Sequence, residues 1–210
     1  MISTKAFKAY DIRGIVPSEV NEELAYRLGR ALAWKLQAKK LVVGHDIRLS
    51  GPSLSEAAVR GMRDAGADVL DLGQCGTEMI YFATAHLKTD GGMMITASHN
   101  PKDYNGMKLV RSEARPISAD TGLKELAELV AAEDFETRVP KAETRGSYEE
   151  VDIVPSYVDH LLSYINVKTL LPLRIVANPG NGGAGPIVKE LAKHLPCQFI
   201  LINDLSLIHI

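Results

Sequence analysis

Residues 91–110 read Gly91-Gly92-Met93-Met94-Ile95-Thr96-Ala97-Ser98-His99-Asn100-Pro101-Lys102-Asp103-Tyr104-Asn105-Gly106-Met107-Lys108-Leu109-Val110, and this stretch decides the fold. An apolar run, 93–95, breaks into small and polar residues, and a second apolar run begins at Met107. That pattern predicts strand, loop and strand, with Ser98 at the loop tip. Pro101 biases Asn100 away from the helical region, and Asn100 with Asn105-Gly106 supplies turn-forming residues, so the loop is expected to be rigid. A hydroxyl set near an imidazole, an amide and the Lys108 ammonium lies among donors and cations. Such surroundings suit phosphoryl transfer, which is largely positioning and charge stabilisation. An ordinary polar turn with local side-chain to backbone bonds accounts equally well for Ser98-His99-Asn100 taken alone.

Outward from the loop, strand and helix patterns alternate. Residues 41–44 and 67–72 read as strands, and helices are predicted after Asn21, from near Ser53 and over 78–87. The alternation predicts an α/β fold with a mixed, mostly parallel sheet sandwiched between helices. Asp46 and Arg48 follow the first of these strands, where α/β sheets place ligands, although an Asp-Arg pair bracing the loop explains them as well. Near the start, Tyr10-Asp11-Ile12-Arg13-Gly14 places a planar guanidinium able to grip phosphate or carboxylate, or simply to form a structural ion pair. A further helix is expected over 121–131. Apolar periodicity then fades into charged residues with Pro140 and Gly146, as in an interdomain connection. The expected division is therefore a domain over 1–135 carrying the Ser98 loop, a linker over 136–152 and a partial second α/β domain over 153–210.

Composition narrows the function classes. Of 210 residues, 46% are hydrophobic and 24% charged, which is globular, and a net charge of -2 gives no basic footprint for nucleic acid. No apolar stretch is long enough to span a bilayer, and the start lacks a signal-peptide core, so a cytoplasmic setting without membrane contact is expected. Cys75 and Cys197 sit in no disulfide or zinc spacing and are expected as buried thiols.

With Tyr10-Asp11-Ile12-Arg13-Gly14, Asp46-Ile47-Arg48, Gly76-Thr77-Glu78, Thr96-Ala97-Ser98-His99-Asn100-Pro101 and 103–108 together, the chain resembles the phosphomannomutase/phosphoglucomutase branch of the α-D-phosphohexomutase superfamily. The likeness runs from about Phe7 to about Ile202. It implies an isomerase that converts mannose 6-phosphate to mannose 1-phosphate through a phosphoserine and a hexose 1,6-bisphosphate, feeding GDP-mannose and polysaccharide synthesis. By match to the motif, Ser98 carries the phosphoryl group, with Arg13, Lys108 and His99 as catalytic neighbours. Tyr10, Asn100 and Lys108 are implied to bind the sugar phosphate. Mg²⁺ is implied on the Ser98 phosphoryl oxygen with aspartates of a second-domain loop, and a hexose 1,6-bisphosphate as activator. No Asp-Gly-Asp-Gly-Asp run occurs here, nor the sugar-selecting and phosphate-binding loops of the family's later domains. The chain is accordingly expected to be an N-terminal fragment, inactive alone, whose last six or so residues are non-native; oligomeric state stays open.

Alternatives from other classes remain. Within the superfamily, a phosphoglucomutase fits the same motifs. Gly180, Gly182 and Gly185 fit a dinucleotide-binding turn, with Asp204 as ribose acid, though Pro179 and a short helix crowd it. A Ser-His hydrolase is disfavoured because adjacent residues on an extended segment point to opposite sides. A non-catalytic sugar-phosphate binder is the third.

Overall fold

Leu41 and Val43 are buried in one apolar cluster and Val42 in another, which is how a strand covered on both faces behaves. Met93 and Ile95 against Met94, and Val69 against Leu70, divide in the same way. The structure, a computed structural model, describes residues 2–180 and 182–204. Its strands are β1 (Ile12–Ile15), β2 (Lys40–His45), β3 (Asp68–Gln74), β4 (Gly91–Ile95), β5 (Tyr104–Arg111), β6 (Arg115–Pro116), β7 (Tyr148–Glu150), β8 (Arg174–Ala177) and β9 (Gln198–Leu201). The helices are α1 (Glu22–Leu36), α2 (Gly51–Asp64), α3 (Thr77–His86), α4 (Leu123–Ala131), α5 (Phe135–Arg138), α6 (Val154–Leu162) and α7 (Ala184–Ala192). The main sheet runs β1-β5-β4-β2-β3-β7, with β6 beside β5. β2 pairs in parallel with β3 and β4, and β3 with β7, while β5 lies antiparallel to both β1 and β4. This is the expected three-layer, mostly parallel architecture.

Helix α1 starts where Asn21 accepts the Leu24 amide at 2.9 Å, relieving a helix-end donor as a cap should. It buries Leu24, Ala25, Leu28, Ala31 and Leu32 against α2, α4 and the sheet. Contact with α2 is close because both crossing points are glycines: a methyl on Gly61 would run into the Tyr26 carbonyl, and one on Gly29 into that of Ala58. α3 and α6 cover the other face, where Tyr157 and Ile153 pack with Met79 and Ile80.

The linker expected over 136–152 does not run free. β7 pairs with β3 as an edge strand of the main sheet, Val139 is fully buried, and the buried Arg30 guanidinium binds Glu136 and the Val139 carbonyl. Strand pairing uses backbone groups, so the exposed side chains of Tyr148, Glu149 and Glu150 carry no apolar period to announce it. The β8–β9 pair forms a separate two-stranded parallel sheet. Among the described residues of 163–204, Gly185 alone is buried, so this unit has almost no interior. Asn181 and the residues 205–210, for which a non-native origin is expected, lie outside the described residues.

Cys75 is buried, and burial pushes its thiol up to about 12, with Glu78, Asp71 and Asp46 adding to the shift. Cys197 is only half-buried, with Sγ 3.5 Å from the Leu171 carbonyl, so the expectation of two buried thiols holds for one. Among the described residues no helix is long and apolar enough to cross a membrane.

Gly61→Ala forces α1 and α2 apart through backbone that has nowhere to yield, and is expected to lose about 1–3 kcal/mol of stability. Urea denaturation of the variant beside the parent chain checks this, and an unchanged midpoint would show that the crossing has slack.

Candidate active site

The serine loop is built from the end of β4 outward. Thr96 continues the strand pairing by donating its amide to Gly106 at 2.9 Å, and its hydroxyl donates to Asp46 Oδ2 at 2.7 Å. The chain then turns: the Ser98 amide donates to Thr96 Oγ1 at 2.9 Å, and the Asn100 amide to the Ala97 carbonyl at 3.1 Å. Ser98 adopts a φ of 54°, a left-handed conformation that non-glycine residues hold at a cost of about 1 kcal/mol or more. The turn leaves the Ser98 and His99 side chains exposed.

Arg48 locks this shape. Its Nη2 donates to the carbonyls of Ser98 (3.0 Å) and Asn100 (2.6 Å), and its Nη1 to those of Pro101 (2.6 Å) and Tyr104 (2.9 Å). Nε lies 3.4 Å from Asp46 Oδ2, and Asp46 Oδ1 accepts the Arg48 amide at 3.0 Å. Asp46 and Arg48 therefore brace the loop. The Asn105-Gly106 turn expected from sequence is instead part of β5. Asn105 is buried, donating to Ser50 Oγ at 2.8 Å, and Gly106 leaves room for the Ile12 carbonyl of β1.

The cations arrive on neighbouring strands. Antiparallel pairing of β1 with β5 sets Ile12 opposite Met107, which brings Arg13 and Lys108 to one end of the sheet. Both donate to one oxygen: Asp11 Oδ2 accepts from Arg13 Nη2 at 2.6 Å and from Lys108 Nζ at 2.7 Å. Arg13 Nη1 donates to Asn100 Oδ1 at 2.7 Å. A continuous chain of charged hydrogen bonds thus ties Lys108, Asp11 and Arg13 to the serine loop, and such bonds are stronger than neutral ones. The Arg13 Nε is buried without a partner among the described residues.

His99 Nδ1 lies 3.3 Å from Ser98 Oγ. The expectation that the two side chains diverge is overturned, because the left-handed turn breaks the alternation of an extended strand. His99 has no carboxylate partner among the described residues to orient it as a hydrolase base. Five of the candidates, Ser98, His99, Asn100, Arg13 and Lys108, are brought together. Tyr10 is not among them: it is 80% exposed and lines a separate hollow with Phe7, Lys8, Ala119 and Leu123. Past β9, Asp204, the acid expected to serve a ribose beside the glycine-rich turn, is engaged by Lys189 at 2.7 Å.

Sequence reasoning missed Asp11 as the group that gathers the two cations, whereas Asp46 and Arg48 brace the loop as one of their two sequence readings had it. Asp11 stands two residues before Arg13, a spacing that puts both on one side of extended chain, and that was the available signal. The reach of Arg48 to carbonyls about fifty residues away, beyond its pairing with Asp46, has no local signal.

Among the described residues no three His, Cys, Asp or Glu gather as a metal site. Near Ser98, Asp11 is committed to two cations, and Asp46 to Thr96 and Arg48. Among the described residues, the surroundings of Ser98 therefore lack the set of free hard oxygen ligands that a Mg²⁺ ion requires.

Comparison with known proteins bears on the family and the fold. Residues 4–137 match the family described as phosphoglucomutase/phosphomannomutase, alpha/beta/alpha domain I. A phosphomannomutase of Escherichia coli is 56% identical over 204 residues, covering 94% of this chain and 44% of the relative. A Xanthomonas campestris protein named phosphohexose mutases is 54% identical over 197 residues, covering 94% and 43%. The crystal structure of a phosphoglucomutase/phosphomannomutase family protein from Burkholderia thailandensis superposes with a TM-score of 0.86 at 34% identity, covering 98% of this chain and 45% of that one. The chain spans less than half the length of these relatives. On the match over 4–137 and identity above half to such relatives, the chain belongs to the phosphoglucomutase/phosphomannomutase family.

Proposed function

We propose that this chain contributes the phosphoserine site of a phosphomannomutase, converting mannose 6-phosphate to mannose 1-phosphate. One observation carries the proposal: an exposed Ser98 on a braced left-handed turn, backed by the hydrogen-bonded chain from Asn100 through Arg13 and Asp11 to Lys108. In the first step the phosphorus–Oγ bond of phosphorylated Ser98 breaks as a bond forms to O1 of mannose 6-phosphate. The O1 proton passes to the enzyme and restores the serine hydroxyl. After the bisphosphate turns round, Ser98 Oγ takes the 6-phosphoryl group, and mannose 1-phosphate leaves. A guanidinium does not give up its proton, so Arg13 offsets charge on the transferring group while Lys108 is the one of the pair able to relay a proton. His99, beside the Ser98 oxygen, is placed to accept the hydroxyl proton when Ser98 is the nucleophile.

Mg²⁺ and a hexose 1,6-bisphosphate activator belong to the same proposal, the metal neutralising phosphoryl charge when bound; the one ligand drawn from this chain is the oxygen on Ser98. The partners are hexose phosphates, the setting is the cytoplasm, and the product supplies sugar-nucleotide synthesis. Tyr10 and Asn100 are assigned to sugar-phosphate contact, Tyr10 from its exposed position. The two-unit division is kept, with residues 136–152 given to the first sheet.

The test uses a protein of its relatives' full length carrying this chain. Incubated with hexose 1,6-bisphosphate, it should gain one phosphoryl group, mapped by peptide mass to Ser98, and should turn over mannose 6-phosphate faster than glucose 6-phosphate. A phosphoryl group on another residue, or turnover surviving Ser98→Ala, sinks the assignment. Asp11→Asn frees both cations, and a misplacement of that kind is expected to slow phosphoryl transfer to Ser98 by roughly 100-fold; Asp11→Glu should recover part of the rate in the same quench assay. Arg48→Ala strands four loop carbonyls and should cost roughly 2 kcal/mol or more in urea unfolding, with faster amide exchange across 97–104.

A further inference from the structure

Away from Ser98, a cleft of about 430 Å³ opens between α2 and the β3–β7 edge of the sheet, a volume within the range of small-ligand sites. Arg60 and Arg63 reach it from α2, Arg145 from the segment before β7, and His45 from the end of β2. Arg63 Nε donates to the Gly146 carbonyl and Arg145 Nε pairs with Asp64, both at 2.9 Å, and neither bond uses the terminal N–H groups. Arg60 is exposed and has no hydrogen bond or ion pair among the described residues.

Three guanidinium groups outnumber the two carboxylates that line the cleft. Asp71 already accepts from the Gly73 amide at 2.8 Å and the Tyr148 hydroxyl at 3.1 Å, and Glu56 is an exposed side chain facing water. Ser55 lines the same cleft at 3% exposure, and its Oγ is buried with no hydrogen-bond partner among the described residues. An unpartnered buried hydroxyl is destabilising until a ligand or water satisfies it.

We propose that this cleft binds a small phosphorylated anion at a site separate from Ser98. Guanidinium forks match phosphoryl oxygens, and here they come from two walls, α2 and the 145–148 segment. Donors on two sides suit a tetrahedral group better than a flat carboxylate.

Isotope-labelled chain carrying Ser98→Ala, titrated with inorganic phosphate and separately with malonate, tests this by NMR. Saturable shifts are expected at Ser55, Arg60, Arg63 and Tyr148 with phosphate, and roughly tenfold weaker phosphate binding in Arg60→Gln. Ser55→Ala should weaken phosphate binding yet raise the thermal midpoint of the free chain, since it removes an unsatisfied hydroxyl. Shifts confined to 96–108, malonate binding as tight as phosphate, or unchanged affinity in both variants would overturn the proposal.

Discussion

The Arg48 guanidinium holds the serine loop in shape, because four backbone carbonyls of that loop converge on its two terminal nitrogens. Carbonyl oxygens packed this closely repel one another, and a delocalised cation with donors in a fixed fork relieves that repulsion better than water does. Asp46 completes the arrangement by holding Thr96 on one side and the Arg48 amide on the other. The same carboxylate therefore fixes where the strand stops and where the turn begins. A serine kept at a positive φ needs such support, since the conformation is unfavourable for any residue with a side chain.

The second constraint is the sharing of Asp11. Two cations set side by side would spread apart in search of solvent, and a single buried carboxylate keeps both at one end of the sheet. The strand register does the coarse positioning and Asp11 the fine. Asn100 then joins the cationic pair to the loop, so that the Ser98 turn and both cations form one hydrogen-bonded body.

Much of this was legible in the sequence where local chemistry is strong. The Asn21 cap, the strand ending at Ile95 and the polar tip at Ser98 each follow from a few neighbouring residues, and each is found where expected. Illegible features were those decided by pairing at a distance. β1 holds four residues, too few for a period, and becomes a strand because β5 is available beside it. β7 hides in a charged stretch because its side chains face water. Asn105-Gly106 looks like a turn by composition, yet Gly106 serves to admit the β1 backbone. The divergence predicted for Ser98 and His99 failed for a related reason, since alternation applies only while the chain stays extended.

Arg48, Ser98 and Arg13 come from three separate stretches of chain, and the sheet is what joins them. The order of synthesis then matters. The clamp leaves the ribosome before the turn it must clamp, and the strand facing β1 comes after that turn. The Ser98 hydroxyl therefore reaches its exposed posture only after β5 has been laid between β1 and β4, so an unfinished chain does not display the braced turn.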